Sequence, residues 1–402
     1  MKKLSLSLIA VITAMTFCGC TATISKPSTE TAADTTISKP EISETAASEE
    51  NNSETTAETT SEGLDFSSVD ALLQSMTDEQ KVGQIILGRF PSEGAADMMR
   101  EYQLGGFTLY ADDFKNEFPD TMAEKTAKIQ AAAEIPAFLA TDEEGGTVVR
   151  VSKFPQYRLS PFSSQIALAR DGEEAVRGEN IEKAELLLSL GINFNLAPVA
   201  DITESHSDYI YDRTFGENTE NTSKFVAAAV EAMNEGNIAS CLKHFPGYGS
   251  NVDTHTGSAA DSRSRSSFEN TDFLPFEAGI EAGAPAVMVN HNVVAAFDDI
   301  NPASLSAEVH AVLRDELGFE GIILTDDLGM DAITEFAAEA EESPYVLAVN
   351  AGNDMLCTSD IESAYNDVLA ALKDGRIDEE QLDESVRRIL EMKEEYGILT
   401  IG

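Results

Sequence analysis

A lysine, two histidines and an aspartate fall within one short stretch, Lys243-His244-Phe245-Pro246-Gly247-Tyr248-Gly249 followed by Asp253-Thr254-His255. Glycine-rich loops that concentrate ionisable groups position reactive side chains on a scaffold. An aspartate two residues before a histidine can orient an imidazole that donates and takes back a proton near neutral pH. Farther along, Thr325-Asp326-Asp327 offers adjacent carboxylates. At a strand end such neighbours point to opposite faces, so one is expected to look inward and the other to meet a helix N-terminus or a cation. An anion beside an anomeric carbon and an acid beside the leaving oxygen are the two requirements of glycoside cleavage. Asp142, Arg213, Lys243 and His244 add charged groups able to grip hydroxyls.

Apolar runs of strand length recur and must position these groups: Ile85 to Leu87, Phe107 to Tyr110, Ala137 to Ala140, Phe194 to Leu196, Ala239 to Leu242, Ala286 to Val289, Ile322 to Leu324 and Met355 to Leu356. Helix-like segments separate them: Asp120 to Ala133, Asn180 to Leu190, Asn221 to Gly236, Phe273 to Ala282, Ala307 to Leu317 and Ser343 to Ala351. Ile361 to Asp374 and Glu379 to Glu395 follow the last strand, and Ser343-Pro344 reads as a cap with a first-turn proline. Alternating strands and helices predict a parallel sheet with right-handed crossovers, and eight units predict an α/β fold of the (β/α)8 TIM-type barrel class. The barrel demands reactive residues just after strands. Asp142-Glu143-Glu144-Gly145-Gly146, Ala197-Pro198-Val199-Ala200-Asp201, the histidine loop, Asn290-His291-Asn292 and Asp326-Asp327 all fall there. A doubly wound sheet would carry a phosphate loop after its first strand, where this chain has Gly88-Arg89-Phe90-Pro91.

No Walker loop or dinucleotide fingerprint is present, so no cofactor is expected. Asp253-x-His255 is a loop pair rather than two closely spaced histidines on an early strand, so no metal is expected either. The net charge of -44, without a basic stripe, argues against nucleic acid as a partner. Cys241 and Cys357 sit in apolar runs and read as buried free thiols.

The chain opens on Met1-Lys2-Lys3 and an apolar run from Leu4 to Phe17, too short to span a bilayer. Residues 1–19 are expected to be a lipoprotein signal peptide, with Cys20 the lipidated residue. Residues 20–63 are rich in Ser, Thr and Glu, with Thr-Ile-Ser-Lys-Pro repeated at Thr23 and Thr36. Such a segment cannot bury enough apolar surface to offset its chain entropy and reads as a disordered tether, reaching on the order of 40 Å. Residues 64–402 form the expected catalytic domain. It would be held at the extracellular face of a bacterial membrane through the lipid anchor, or secreted.

The motifs Asp142-Glu143-Glu144-Gly145-Gly146, Asn195-Leu196-Ala197-Pro198-Val199-Ala200-Asp201, Arg213-Thr214-Phe215-Gly216, the Lys243 loop with Asp253-Thr254-His255, and Leu324-Thr325-Asp326-Asp327-Leu328-Gly329-Met330 carry a resemblance. Over Met76 to about Ile398 the chain resembles glycoside hydrolase family 3, in its β-N-acetylglucosaminidase branch. The resemblance implies that Asp326 is the nucleophile and that Asp253 and His255 form an acid/base dyad. It implies that Asp142, Arg213, Lys243 and His244 hold the terminal sugar, with Arg150 at a usually basic position. His291 is placed with this substrate-binding set; the alternative is that it packs beneath the rim. Arg213 could also pair with Asp201 as a scaffold. The implied activity is retaining removal of β-linked N-acetylglucosamine from peptidoglycan-derived or related glycans.

The chain departs from the family where Tyr248 stands for a common His, and where Glu143 and Thr147 replace Gln and Arg. Trp is absent, so any stacking on a sugar ring would fall to Phe215 or Tyr248. Three other functions remain open at this level. They are a phosphorylase using phosphate as acceptor, a β-glucosidase, and an inactive sugar-binding lipoprotein.

Overall fold

The computed structural model describes residues 63–402 apart from Glu204, Glu217, Asp253, His255, Thr256 and Ser258. The expected signal peptide, nearly all of the tether and Cys20 lie outside the described residues, as do both members of the expected dyad.

Eight parallel strands form the centre: β1 (Ile86–Arg89), β2 (Gly106–Leu109), β3 (Phe138–Thr141), β4 (Phe194–Asn195), β5 (Ala239–Phe245), β6 (Ala286–Val289), β7 (Ile322–Thr325) and β8 (Leu356–Thr358). Each pairs with its sequence neighbour. β8 returns to β1 with Ile86 opposite Leu356, and Leu324 bridges Met355 in parallel, so the sheet closes. This is the (β/α)8 barrel that the alternation predicts. Strands covered on both faces read as continuous apolar runs, which is why all eight were visible in the sequence.

The outer layer comprises α1 (Ala95–Tyr102), α2 (Pro119–Gln130), α3 (Glu173–Ser189), α4 (Thr219–Glu235), α5 (Phe273–Glu281), α6 (Ala307–Ala311), α7 (Pro344–Ala351) and α8 (Ile361–Lys373). The helix Ala95–Tyr102 was not expected, Glu173–Ser189 begins seven residues before the expected Asn180, and two further details differ. The helix expected over Ala307 to Leu317 widens into a π-turn at Val312–Glu316. Ser343 occupies the N-cap of α7, but its hydroxyl makes no cap bond and is buried without a partner. Pro344, with its fixed φ, starts that helix alone. Leu242, Val287 and Ile323 of neighbouring strands pack with Val226 and Phe276 of α4 and α5, and the Phe245 ring stacks on Phe273.

Two short helices, Val69–Ser75 and Asp78–Gln84, precede β1. Thr77 and Gln80 form a reciprocal capping box on the second. Both pack against the last helix, Glu379–Glu395. There Lys81 pairs with Asp383 at 2.5 Å, and Arg387 pairs with Asp70. The Lys393 ammonium is fully buried, donates to Gln84 Oε1 at 2.7 Å and lies 5.1 Å from the Phe138 ring centroid. Gln84 and Phe138 mark strand starts, so this lysine lies at the barrel end opposite the strand C-termini.

Burial pushes the Lys393 ammonium down to about 7. An unfolded lysine titrates near 10.4, so between these values the unfolded chain binds more protons and stability rises with pH. The cost of burial is fully present below about 7 and vanishes above the unfolded value. Urea unfolding at pH 7 and pH 9.5 is expected to show the parent gaining on the order of 1–3 kcal/mol over that window relative to Lys393→Met. Equal pH slopes for the two proteins would disprove this.

Candidate active site

The C-terminal ends of the strands surround a cleft of about 620 Å³. Among its lining residues are Arg89 at the end of β1, Tyr110 after β2, Asp142, Glu144 and Arg150 after β3, Arg213, Lys243 and His244 of β5, and Asp326 and Asp327 after β7. Six of the sequence-selected residues, Asp142, Arg150, Arg213, Lys243, His244 and Asp326, therefore meet in one place. His291 does not line it, and Asp253 and His255 fall outside the described residues.

A strand sends successive side chains to opposite faces. The β5–β6 register slips between Lys243 and Phe245, and both Lys243 and His244 reach the cleft. The Lys243 ammonium is buried and lies 2.8 Å from Asp142 Oδ1 and 2.7 Å from Glu144 Oε1. Arg213 grips Glu144 with both ends of its fork, Nε to Oε2 at 3.0 Å and Nη2 to Oε1 at 2.8 Å. Arg150 lies 3.4 Å from Asp142. Burial opposes charge on both carboxyls. For Asp142, Lys243 and Arg150 outweigh it; for Glu144, Arg213 and Lys243 do so by more. Both are held below the ordinary carboxylate range. Burial likewise opposes charge on Lys243, and Asp142 and Glu144 hold its ammonium above the usual value.

The loop after β3 is built to hold this pair. The buried Glu143 carboxylate accepts the N–H groups of Arg150, Val151 and Ser152 at 2.8, 2.7 and 3.2 Å. Lys183 of α3 reaches in from below and donates to the Glu144 carbonyl at 2.8 Å. Gly145 adopts φ +103°, and a Cβ there would lie 2.0 Å from the Ser163 carbonyl oxygen, so only glycine fits.

Asp201, after β4, organises His244. Its Oδ2 accepts from Nδ1 at 2.7 Å and from the His244 N–H at 3.0 Å, while Oδ1 accepts the Tyr248 N–H at 2.7 Å. Arg213 Nη2 lies 3.1 Å from His244 Nε2. A guanidinium only donates, so Nε2 accepts and Nδ1 carries the proton given to Asp201. The scaffold pairing of Arg213 with Asp201 that the sequence allowed is thus replaced by Arg213–Glu144 and Asp201–His244.

Asp326 sits half-buried at the end of β7 and accepts the Asp327 N–H at 2.8 Å. Burial raises its carboxyl. The His291 and His244 rings, the Asp327 N–H and Lys243 outweigh burial and leave it ionised below the ordinary range. The expectation that one aspartate turns away requires correction, because both line the cleft. The chain leaves extended geometry after Thr325, so alternation no longer applies. Asp327 Oδ1 also accepts the Gly329 N–H at 2.9 Å in the turn before the helix Asp331–Ala340.

His291 differs from its expected substrate-binding role. Its buried ring lies between Ser304 Oγ at 2.7 Å and the Asp327 carbonyl at 3.1 Å. From there it acts on Asp326 through charge. The stacking expectation also fails, since Phe215 and Tyr248 are buried. Tyr110 and Tyr209 line the cleft instead, with the Arg89 and Arg150 guanidiniums 4.3 and 5.4 Å from the Tyr110 ring centroid. Sequence reasoning overlooked Glu144 as a site residue and Asp201 as the holder of His244. Both were visible as carboxylates just past strand ends. Cys241 and Cys357 are buried free thiols, as expected.

The fold and rim define a (β/α)8 barrel with a charged cleft at its strand C-termini, and comparison with known proteins gives its family. The chain belongs to glycosyl hydrolase family 3: the model described as "Glycosyl hydrolase family 3 N terminal domain" matches residues 77–392. It is similar to "Beta-hexosaminidase A" of Pseudoalteromonas piscicida, 30% identical over 74% of this chain and 54% of that protein. It is also similar to a "Beta-hexosaminidase" of Xanthomonas oryzae pv. oryzae, 34% identical over 59% of this chain and 71% of the relative. Among solved structures it resembles a glycoside hydrolase family 3 beta-N-acetylglucosaminidase from a Paenibacillus species, with TM-score 0.74 and 29% identity over 81% of this chain and 65% of the other. The chain spans about half the length of the first of these relatives.

Glu144→Gln keeps the shape of the array but leaves Arg213 and Lys243 sharing one carboxylate, Asp142. Removing one partner of buried charges costs about 3–5 kcal/mol. The variant is expected to lose stability of that order in chemical denaturation and to bind sugar more weakly. Parent-like stability would show that Glu144 does not anchor the two cations.

Proposed function

We propose that the protein is a retaining β-N-acetylhexosaminidase that removes terminal β-linked N-acetylglucosamine from peptidoglycan-derived or related glycans. One observation carries this reading. An ionised carboxylate, Asp326, shares a cleft with the hydroxyl-gripping array Asp142, Arg150, Arg213, Lys243 and His244. Family membership and the names of the relatives support it.

In the proposed reaction an Asp326 oxygen bonds to the anomeric carbon as the glycosidic C–O bond breaks. His255, oriented by Asp253, gives its proton to the departing oxygen. Water then attacks the same carbon from the side the aglycone left. His255 takes the water proton, the Asp326 ester breaks, and the sugar leaves with retained configuration. An imidazolium acid is cationic before it donates, so it does not raise the nucleophile's pKa as a second carboxylate would. The array after β3 and β5 fixes the sugar before chemistry, which removes orientational entropy from the barrier.

The reading of residues 1–20 belongs to the same proposal. On it, Cys20 carries a lipid and the barrel works outside the cell. Cys20→Ser is expected to move the protein from the membrane to the soluble fraction, and unchanged partition would remove the anchor.

Asp326→Ala is expected to lower turnover of an aryl β-N-acetylglucosaminide by at least about 10³-fold, as loss of a nucleophile does. Turnover within a few fold of the parent would end the assignment. A 2-fluoro sugar should label Asp326 covalently, as read by peptide mass spectrometry. Sugar release should not depend on added phosphate, which a phosphorylase would need.

A further inference from the structure

The aromatic residues in and beneath the cleft differ in how much surface they leave open. Phe215 and Tyr248 are buried. The Tyr110 ring already carries the Arg89 and Arg150 guanidiniums at 4.3 and 5.4 Å from its centroid. Tyr209, in the loop after β4, also lines the cleft and is 41% exposed. Among the described lining residues it alone is an exposed large apolar side chain.

The ring is exposed, yet the chain on both sides of it is anchored. Asp208 Oδ2 accepts from Ser250 Oγ at 2.6 Å and from the Thr203 hydroxyl, which joins the loop after β4 to the loop after β5. Ile210 is fully buried and packs with Val199 and Tyr248. The Tyr211 N–H donates to the Asp208 carbonyl at 3.1 Å, and the Arg213 N–H donates to the Ile210 carbonyl at 2.9 Å. The Tyr209 ring leans on the Tyr248 ring, with centroids 5.7 Å apart and planes tilted by 42°. Tyr248 is itself fixed, its N–H donating to Asp201 at 2.7 Å and its phenol oxygen accepting the Thr254 N–H at 3.1 Å. A ring held in this way loses little conformational freedom when a ligand covers it, so most of the contact energy is kept.

Exposure rises from the floor of the cleft to its mouth. The Lys243, Asp142 and Arg213 side chains are 2, 13 and 15% exposed, far less than Tyr209. A terminal sugar held by that array leaves the rest of its glycan to pass out through the mouth. A pyranose ring presents an apolar face of C–H groups, and a flat aromatic of similar size buries that face and gains C–H contacts to its π-system. We propose that Tyr209 is the platform of an aglycone subsite, on which the second sugar ring of the substrate stacks. The inference rests on the reading of the protein as a β-N-acetylhexosaminidase and specifies the leaving group, a sugar rather than a small alcohol.

The test compares kcat/KM for N,N′-diacetylchitobiose, whose leaving group is a sugar, and methyl β-N-acetylglucosaminide, whose leaving group is too small to reach a platform. Tyr209→Ala is expected to lose roughly ten-fold more on the disaccharide than on the methyl glycoside, as removal of an aromatic contact does. Tyr209→Phe keeps the ring and is expected to hold the ratio of the two substrates within about three-fold of the parent's. Equal losses on both substrates, or none, overturn the inference. A Tyr209→Phe ratio that falls as far as that of Tyr209→Ala also overturns it, because the hydroxyl and not the ring face would then make the contact.

The parent's own activity separates this inference from the reading beneath it. A parent that releases N-acetylglucosamine from both substrates, with an unselective Tyr209→Ala, keeps its assigned activity and loses only the subsite. A parent that cleaves neither substrate ends the assignment, and the subsite with it. Thermal unfolding confirms that Tyr209→Ala is folded. Should it not fold, Tyr209→Leu keeps apolar bulk without a flat face and must show the same differential; its absence there overturns the inference.

Discussion

The Lys243 ammonium sits between two carboxylates, Asp142 and Glu144, with almost no water around it. Removing an ion from water costs several kcal/mol even after relaxation, and one opposite charge at 4 Å returns about 4 kcal/mol at an effective dielectric of 20. A lysine with a single partner would therefore be marginal there. With two it is stable, and Arg213 and Arg150 in turn offset the excess negative charge. The array holds together only if β3, the segment before α4 and β5 end at the same height. The staggered register of the closed barrel supplies that alignment, with Ala140 and Thr141 opposite Phe194 and Asn195, and these opposite Ala239 and Ser240. Fixed in this way, the polar groups need no reorganisation when they meet hydroxyls, which is how preorganised charge lowers a barrier.

The eight strands were legible because each is buried on both faces and so carries an uninterrupted apolar run. Their ends shifted by a few residues at most. β5 extends farthest, to Phe245, because polar Lys243 and His244 remain in its ladder although their chemistry reads as loop. The helices Val69–Ser75 and Asp78–Gln84 went unnoticed, being too short for a periodic signal to emerge. The pairs Ala260–Asp261 and Val293–Val294 are two-residue strands with no signature of their own.

At the site, residue types were legible and partnerships were not. Asp142 and Lys243 meet across 101 positions of chain, and Glu144 and Arg213 across 69. Nothing local distinguishes the glutamate that anchors two cations from Glu143 beside it, which gathers backbone N–H groups instead. The stacking residues were misjudged for a related reason. Phe215 and Tyr248 lie in catalytic motifs, yet an aromatic in a motif can serve the motif's packing. Phe215 stacks on Phe225 of α4, and Tyr248 packs with Val199 and Ile210.

The protonation pattern of the cleft bears on where a proton donor can stand. Asp142, Glu144 and Asp326 are held ionised, so none of them carries a proton to give near neutral pH. The His244 proton on Nδ1 is committed to Asp201, and its Nε2 faces the Arg213 guanidinium. Burial and neighbouring carboxylates push the Tyr110 phenol far above its usual value. None of these groups therefore holds a proton free to give near neutral pH. A glycosidase that separates these tasks must bring its acid from a segment with different electrostatics. The Asp253–His255 sequence, on a loop tied to the cleft through Asp201 and Tyr248, suits that division. Asp201 holds His244 and, through the Tyr248 N–H, the start of the loop that leads in sequence to Asp253 and His255.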